Sequence, residues 1–565
     1  MGNGNIRRAS AVLATILILV QLGNHRAWGR LTTPYQAEQV VKGWLKADAR
    51  PLNTAITPDV LNVESVTNEA GEPVYYIVYL HPAGFVIVSA DDLVEPIIAF
   101  SADGTCDPSL ETPLGALASR DMSGRAAIAR ADDNPGGQIG VLSISDAQHR
   151  WYEFISLAQV SSGGITTQSL ASISDVRVAP LVQSKWAQDE VCGNSCYNYY
   201  TPEGYYSGCV ATAMAQLMRY HMYPDTGIGV QDFIVEVEGD PWTAYTRGGN
   251  GYGSQYSWSE MVLVPDCSTT TSQRQAIGAL CFDAGISVNT DYRPGASSAD
   301  VLLTKEALTG TFKYSNAING YNDSEDIGPG LIAMINPNLD AGGPVIVGIW
   351  GQQSGHAVLC DGYGYSGSTL YHHLNMGWGG TGDVWYNLPN VDAHTKYTSV
   401  IACTYNVFVS GTGEIISGQV IDVYGLPVRG AKVTAKRTGS FAEATTNANG
   451  IYALTGIRSG STYEVSVTKA GHFFSDQTVR TGTSRDLSPT PGNEWQIDFV
   501  GTVAGDCNAD RNIDAADFAV FASAWQSEPG DPGWNPACDI STPADGLIDG
   551  RDLDAFLQVW LGKGR

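Results

Sequence analysis

The sequence predicts a multidomain chain of α+β units, followed by a small β-sandwich and a short, acidic, helical tail. Three observations carry that expectation. The chain has 565 residues, more than the roughly 250–300 that one hydrophobic core serves. Its composition, 43% apolar and only 16% charged, is that of a chain folded nearly throughout. Its pattern also changes twice. From about residue 411 short strands recur at even spacing, and from 501 the chain turns acidic, with eleven Asp plus Glu against four Lys plus Arg. The net charge of -26 argues against nucleic acid as a partner, because that affinity comes largely from Lys and Arg displacing counterions.

Residues 1–29 read as a cleavable signal peptide. Arg7 and Arg8 precede an apolar run from Ala11 to Val20, and Ala27-Trp28-Gly29 places small residues at the two positions a signal peptidase reads. The run is short for a membrane span of about 20 residues, and no later stretch reaches that length. The expected location is secreted or cell-surface associated, with no stable membrane span after cleavage. Export gives the ten cysteines a disulfide reading, since bridges persist in oxidising compartments. With Cys209 set aside and the chain cut between residues 106 and 190, eight remain: Cys192, Cys196, Cys267, Cys281, Cys360, Cys403, Cys507 and Cys538. They permit four bridges, and the sequence leaves the pairing open.

Residues 30–177 form the first unit. Thr33-Pro34-Tyr35-Gln36 supplies an N-cap, a proline at N1 and a glutamine at N3, so a helix starts there and runs through QAEQVVKGWLK. Alternating segments follow, PVYYIVYL (73–80) and GFVIVSADD (84–92), which read as strands. The Gly- and Ser-rich stretches DDNPGGQIG and SSGGITTQS suit a cuttable connector.

Residues 178–408 hold the chemistry. In YYSGCVATAMAQLMRYH, Cys209 follows a glycine and opens a segment of helical period through Val210, Met214, Leu217 and Met218. A thiol there is most simply a packed, structural one, yet unpaired amides at a helix N-terminus can lower a thiol pKa to about 3.5–7.5. It needs a base. His221 stands three turns away, about 18 Å at 1.5 Å per residue, and is too far. His356 opens the apolar strand His-Ala-Val-Leu-Cys and can face a cleft; its plainer reading is a ring satisfied by the backbone. Asn375, in the Gly-rich turn after Tyr371–Leu374 and before Val384–Tyr386, is placed to orient an imidazole. Gln188 in KWAQDE offers an amide donor for an oxyanion. The order Gln, Cys, His, Asn makes a papain-like set.

Four blocks, SGCVATAMAQLMRYHMYP, AGISVNTDYRPGASSA, SGHAVLCDGYG and LNMGWGG, resemble in order and spacing the streptopain family of secreted cysteine peptidases. The upstream AGFVIVSADDLVEPIIAFS is similar to that family's inhibitory propeptide. The resemblance implies an α+β papain-like peptidase over 178–408 behind an α+β propeptide over 30–177. It implies Cys209 as nucleophile, His356 as base and acid, Asn375 as orienter of His356, Gln188 as oxyanion donor and Trp378 in the substrate cleft. It also implies protein or peptide substrates, the chain's own propeptide as inhibitor, and no cofactor for catalysis. The family's Asn-Trp-Gly-Trp-Gly-Gly stands here as Asn375-Met376-Gly377-Trp378-Gly379-Gly380, which raises the question of how the Asn–His pair is screened from water. The alternatives are a non-catalytic adhesion or scaffold protein on a peptidase fold, which the intact Cys209 and His356 oppose, and another Cys-His enzyme such as an amidase or transglutaminase.

Residues 411–500 show short strands such as GQVIDVYG, AKVTAKR, IYALTG and TYEVSVTKAG, a β-sandwich rhythm. They resemble carboxypeptidase-regulatory-like modules, read here as a spacer. In the tail, 501–565, Asp506, Asn508, Asp510, Asn512, Asp514 and Asp517 occupy positions 1, 3, 5, 7, 9 and 12 of a calcium loop. A second copy places Asp545, Asp549 and Asp552 at 5, 9 and 12, and Asp539 at 1 only with a two-residue insertion. Each loop precedes a similar helix, DFAVFASAW or DLDAFLQVW. The duplication resembles a type I dockerin, which implies structural Ca2+ in a small all-α domain and a cohesin-like docking partner. Cys507 and Cys538 are expected to bridge its halves.

Overall fold

Helix α1 (Pro34–Ala47) starts with the capping box the sequence predicts: Thr33 Oγ1 accepts from Gln36 N at 3.2 Å, and Gln36 Oε1 accepts from Thr33 N at 3.0 Å. The computed structural model describes residues 30–132, 146–159, 174–323, 327–350, 355–388, 400–510, 512–541 and 545–562. The expected signal peptide and most of the two Gly- and Ser-rich stretches lie outside them. Val40, Val41 and Trp44 bury the apolar face of α1 against a meander of β1 (Val60–Thr67), β2 (Pro73–Leu80), β3 (Phe85–Ser89) and β4 (Ile97–Ser101). Helices α2 (Pro113–Asp132) and α3 (Asp146–Gln159) complete this unit.

The meander does not end at β4. A larger sheet carries β5 (Ser174–Val178), β6 (Asn316–Tyr321), β7 (Val345–Trp350), β8 (Gly355–Ser366), β9 (Thr369–Asn375), β10 (Val384–Tyr386) and β11 (Val400–Phe408). Strand β10 pairs antiparallel with β4, Trp385 opposite Phe100 and Tyr386 opposite Ala99. The order is therefore β1-β2-β3-β4-β10-β9-β8-β7-β11-β6, with β5 beside β8. One apolar cluster crosses the junction, joining Leu114, Leu117 and Met122 of α2 to Val347, Leu374, Met376 and Tyr386. The expected boundary at 177/178 cuts through β5. Val178 pairs with Tyr363 and Val176 with Gly364, so β5 belongs to the sheet of the second unit.

On the other side of the sheet, α4 (Cys209–His221) is buried from Val210 to Met218 and packs on α5 (Thr271–Ser287) and on Ile346 and Leu359. Helix α6 (Leu331–Asp340) lies toward the C-terminal module.

That module is the expected sandwich, with strand order 451–457, 414–422, 499–503, 472–473 in one sheet and 440–445, 432–437, 462–468, 477–480 in the other. Its last strand, Phe499–Val503, crosses the expected boundary at 500. The module read as a spacer is docked on the neighbouring unit. Asn493 Nδ2 donates to Asn406 Oδ1 at 2.9 Å, Leu487 N donates to Asn319 O at 2.9 Å, and Asn449 Nδ2 donates to Val176 O at 2.9 Å. Bonds of this kind favour one orientation, because separating the surfaces leaves each group to find a new partner.

The tail forms α7 (Ala515–Ser523) and α8 (Gly550–Gly562) around Phe521, Ile548 and Phe556, with Phe473 of the sandwich packed against them. Among the described residues one disulfide is formed, Cys192–Cys267, with Cα atoms 5.3 Å apart. The other six of the eight cysteines are buried thiols, which corrects the expectation of four bridges. Cys360 and Cys403 show why. They lie on β8 and β11, the two neighbours of β7, so about 9.5 Å separates their strands, beyond the reach of about 7 Å for a bridge. Cys507 and Cys538, expected to bridge, stand side by side as thiols, with Cys507 Sγ directed at Ala537 O.

Candidate active site

Cys209 is placed by its glycine. Gly208, the N-cap of α4, has φ 90°, a conformation that side chains oppose. Its carbonyl accepts from Thr212 N at 3.0 Å and from Thr212 Oγ1 at 3.0 Å, which starts the helix on the thiol. Cys209 is partly exposed at the N-terminal end of α4. His356 is the second residue of β8, opposite Ile349 of β7. The two segments meet, since the amide of Ala357, next to His356, acts on the Cys209 sulfur.

The electrostatics differ from the sequence expectation. Burial pushes the Cys209 thiol above its ordinary value of 9.0, and the amides of Ala357, Val210 and Cys209 itself pull it down by less. Burial also lowers His356 below 6.5, and its Nε2 is buried with no hydrogen-bond partner among the described residues. Desolvation thus outweighs the helix terminus and opposes ionisation of both groups. Linkage follows from the signs. The raised thiol contributes stability that is lost as pH climbs past its ordinary value, and the lowered imidazole contributes stability that is lost as pH falls below 6.5. Iodoacetamide labelling of Cys209 in the full-length chain is therefore expected to climb throughout pH 7–9.5, with no plateau near neutrality. A plateau at pH 6–7 would mean an ion pair already formed.

Gln188 is tied to the segment that leads into Cys209: its carbonyl accepts from Ser207 N at 2.8 Å and Ser207 Oγ at 3.2 Å. The loop 376–382 closes on the same place, with Gly379 N donating to Trp186 O at 2.9 Å. Trp378 is half-buried in that loop, and its Nε1 is buried without a partner among the described residues. Met376, at the family's tryptophan position, points elsewhere, into the core shared with Leu114.

Asn375 does not orient His356, which corrects the expected role. Its Oδ1 accepts from Gln216 Nε2 at 2.9 Å and from Gly377 N at 3.1 Å, so both lone pairs are used, and its Nδ2 donates to Ser184 O at 2.9 Å. It clamps the loop to the segment leading to Gln188. Two features here escape the sequence reading. Gln216 is a polar residue on the apolar stretch of α4, and that misfit was its only signal. The other is a His373–Asp361 pair, Nδ1 to Oδ1 2.7 Å, whose carboxylate also accepts from Val182 N at 2.8 Å. Burial pulls His373 down, but Asp361 prevails and raises it; burial lifts the nearby Asp383 to about 6.

In the tail, carboxylate oxygens of Asp506, Asp510 and Asp517 lie within 4.8 Å of one another, as do those of Asp539, Asp545 and Asp552. Position 12 is buried in both loops. Asp517 accepts from Asn508 N and Asp514 N, and Asp552 from Ile540 N, Ser541 N and Asp549 N. Asp514 and Asp549 cap the first turns of α7 and α8 through Ala516 N and Arg551 N. Asn508 and Asn512 bond to Asp510.

Residues 186–386 match the Peptidase C10 family, residues 30–119 the Spi protease inhibitor family, and residues 415–490 the carboxypeptidase regulatory-like domain. Streptopain of Streptococcus pyogenes is 30% identical over 208 residues, 36% of this chain and 51% of that protein. The thiol protease/hemagglutinin PrtT of Porphyromonas gingivalis is 27% identical over 322 residues, 54% of this chain and 33% of that protein. A solved fragment of Prevotella intermedia prointerpain A is similar at TM-score 0.43 and 20% identity, covering 61% of this chain and 98% of that one. The chain spans about half the length of the streptopain it matches. The three family matches place a streptopain-like peptidase domain, an inhibitor-type prosegment and a regulatory-like module in the regions where the motifs fall.

Proposed function

We propose that the chain is a cysteine endopeptidase made as an exported zymogen, held inactive by its own prosegment and tethered through a calcium-binding tail. The observation that carries the reading is a thiol at the start of a buried helix, reached by the amide next to the one histidine that opens the facing strand. In the reaction the Cys209 sulfur, giving its proton to His356, attacks a peptide carbonyl carbon, and the carbonyl π pair moves to oxygen. The Cys209 amide and the Gln188 side chain stabilise that oxyanion. Collapse breaks the C–N bond, and His356 returns the proton to the leaving amine. Water then loses a proton to His356, attacks the thioester and releases the acid and the thiol. Substrates are unfolded or extended proteins with an apolar side chain one residue upstream of the cleaved bond's own residue. The test is casein cleavage by the processed full-length chain and its loss to a thiol-directed peptidyl inhibitor. Persistence of cleavage with Cys209 fully labelled would refute the reading.

The prosegment acts by extending the peptidase sheet through β4 and β10 and by sharing its core. Since β5 pairs with β8, processing is expected upstream of Ser174, and the mature N-terminus found by sequencing should retain β5.

The tail loops fit a hard, oxygen-seeking cation. Three carboxylates converge in each, and Asp539 Oδ1 is buried with no partner among the described residues. Asp506, Asp510 and Asp517, with Asn508 and Asn512 beside them, would hold one calcium ion, and Asp539, Asp545 and Asp552 a second. Neutralising the clustered charge is the chemistry calcium supplies there. At 100 times its Kd the ion stabilises the tail by about 2.7 kcal/mol. A chelator is therefore expected to raise amide exchange in α7 and α8 and leave peptide hydrolysis unchanged. Equal exchange with and without chelator would remove calcium from the account. Exposed Phe518 and Trp525 on this domain offer a docking partner, of cohesin type, an apolar anchor.

A further inference from the structure

Gln216 lies seven residues after Cys209 on α4, and residues seven apart share a helix face. It is 1% exposed, in a stretch otherwise built of Val, Ala, Thr, Met and Leu. A side-chain amide so placed is destabilising unless its hydrogen-bonding groups are matched. They are matched, and every partner belongs to a segment of the site. Oε1 accepts from Ser184 Oγ at 2.9 Å and from Trp186 N at 3.2 Å, four and two residues before Gln188. Nε2 donates to Asn375 Oδ1 at 2.9 Å. Asn375 closes the ring on Ser184 O at 2.9 Å and holds Gly377 N, next to Trp378, at 3.1 Å. The segment 180–187 has no regular secondary structure, so single bonds fix it: Leu181 N and Val182 N hold its start to Asp361, Lys185 N donates to Leu263 O, and the Gln216 ring ties its end to α4.

We propose that Gln216 is a positioning residue for peptide hydrolysis: it locks the segment that delivers the Gln188 oxyanion donor, and the loop that carries Trp378, to the helix that carries the thiol. The proposal rests on the cysteine-peptidase reading above. Gln216 touches no substrate and acts through Gln188. A misplacement of about 1 Å at a reacting centre can cost about 10²-fold in rate, and one oxyanion donor is typically worth about 10²–10³. Gln216→Leu is therefore expected to lower kcat by about 10–100-fold while KM stays within about threefold.

The experiment is a double-mutant cycle in the processed full-length chain, with a fluorogenic peptide. It compares Gln188→Ala, Gln216→Leu and their combination, beside Cys209→Ala. If Gln216 acts through Gln188, adding Gln216→Leu to Gln188→Ala lowers kcat by less than about threefold. Iodoacetamide labelling of Cys209, which needs no oxyanion stabilisation, should proceed in Gln216→Leu as in wild type. Gln216→Glu keeps the acceptor for Ser184 and Trp186 and lacks the donor to Asn375. It should fall between wild type and Gln216→Leu, and it carries the same cycle if the leucine variant does not fold. Losses that multiply in the double variant, or a loss confined to KM or to thiol labelling, overturn the proposal. Activity that survives in Cys209→Ala would instead overturn the peptidase reading itself, so the two failures are distinct.

Discussion

Replacing Cys209 with alanine is expected to bring casein hydrolysis by the processed chain down by at least about 10⁴-fold. The side chain supplies the sulfur at the start of α4 (Cys209–His221), and the proposed acyl intermediate forms on it. His356→Ala should cost about as much, because a thiol whose ordinary pKa is 9.0, raised further by burial, is almost wholly protonated at neutral pH without a base. The two residues act as one unit, so the double variant should be no slower than either single variant. What remains is set by binding and by the oxyanion donors, typically about 10³–10⁴ over water. Purified Cys209→Ala that still cleaves casein at a tenth of the wild-type rate would remove the thiol from the mechanism.

What the sequence made legible was local. The Thr33 cap, the helix behind Gly208–Cys209 and the strand Pro73–Leu80 are written in neighbouring residues, and each is formed, although the strand is buried on both faces instead of alternating. The partners across the fold were not written there. Nothing in IIAFS or VWY says that Ile97–Ser101 and Val384–Tyr386 pair to join two units in one sheet. Asn375 was legible as a polar residue in a Gly-rich turn, but which amide it faces depends on how α4 packs, and it faces Gln216. The cysteine count suggested bridges. Burial on strands separated by a third strand, as for Cys360 and Cys403, keeps thiols apart however oxidising the compartment. Sequence also weighed the helix terminus at Cys209 without the burial that opposes it. In the sandwich, turn signals gave the strands. The docking bonds of Asn493 and Asn449 come from loop residues whose partners lie 87 and 273 positions away.

Arg125→Met is expected to weaken the docking of the prosegment by about 3–5 kcal/mol, the cost of leaving a buried carboxylate without its cation. Arg125 and Asp121 sit one turn apart on α2 (Pro113–Asp132), with Nη2 and Oδ2 2.9 Å apart, and Asp121 is wholly buried. Neither faces its own unit alone. Arg125 Nη1 donates to Asn387 Oδ1 at 2.7 Å and Nη2 donates to Asn387 O, while Tyr386 Oη donates to Asp121 Oδ2 at 2.7 Å. The pair therefore fastens α2 to the end of β10 (Val384–Tyr386), the strand that β4 (Ile97–Ser101) extends. Removing the cation leaves Asp121 one hydroxyl donor in an apolar core. By 1.4 kcal/mol per factor of ten, the undocked fraction should rise by about 10² to about 4 × 10³-fold. Amide exchange at the β4–β10 pairing reads that fraction directly, and the full-length chain should gain casein activity correspondingly sooner. Replacing both partners, as in Asp121→Leu with Arg125→Met, removes the stranded charge and should recover much of the loss. If Arg125→Met exchanges at the wild-type rate, or if the double replacement is worse than the single, the pair is not what holds the zymogen closed.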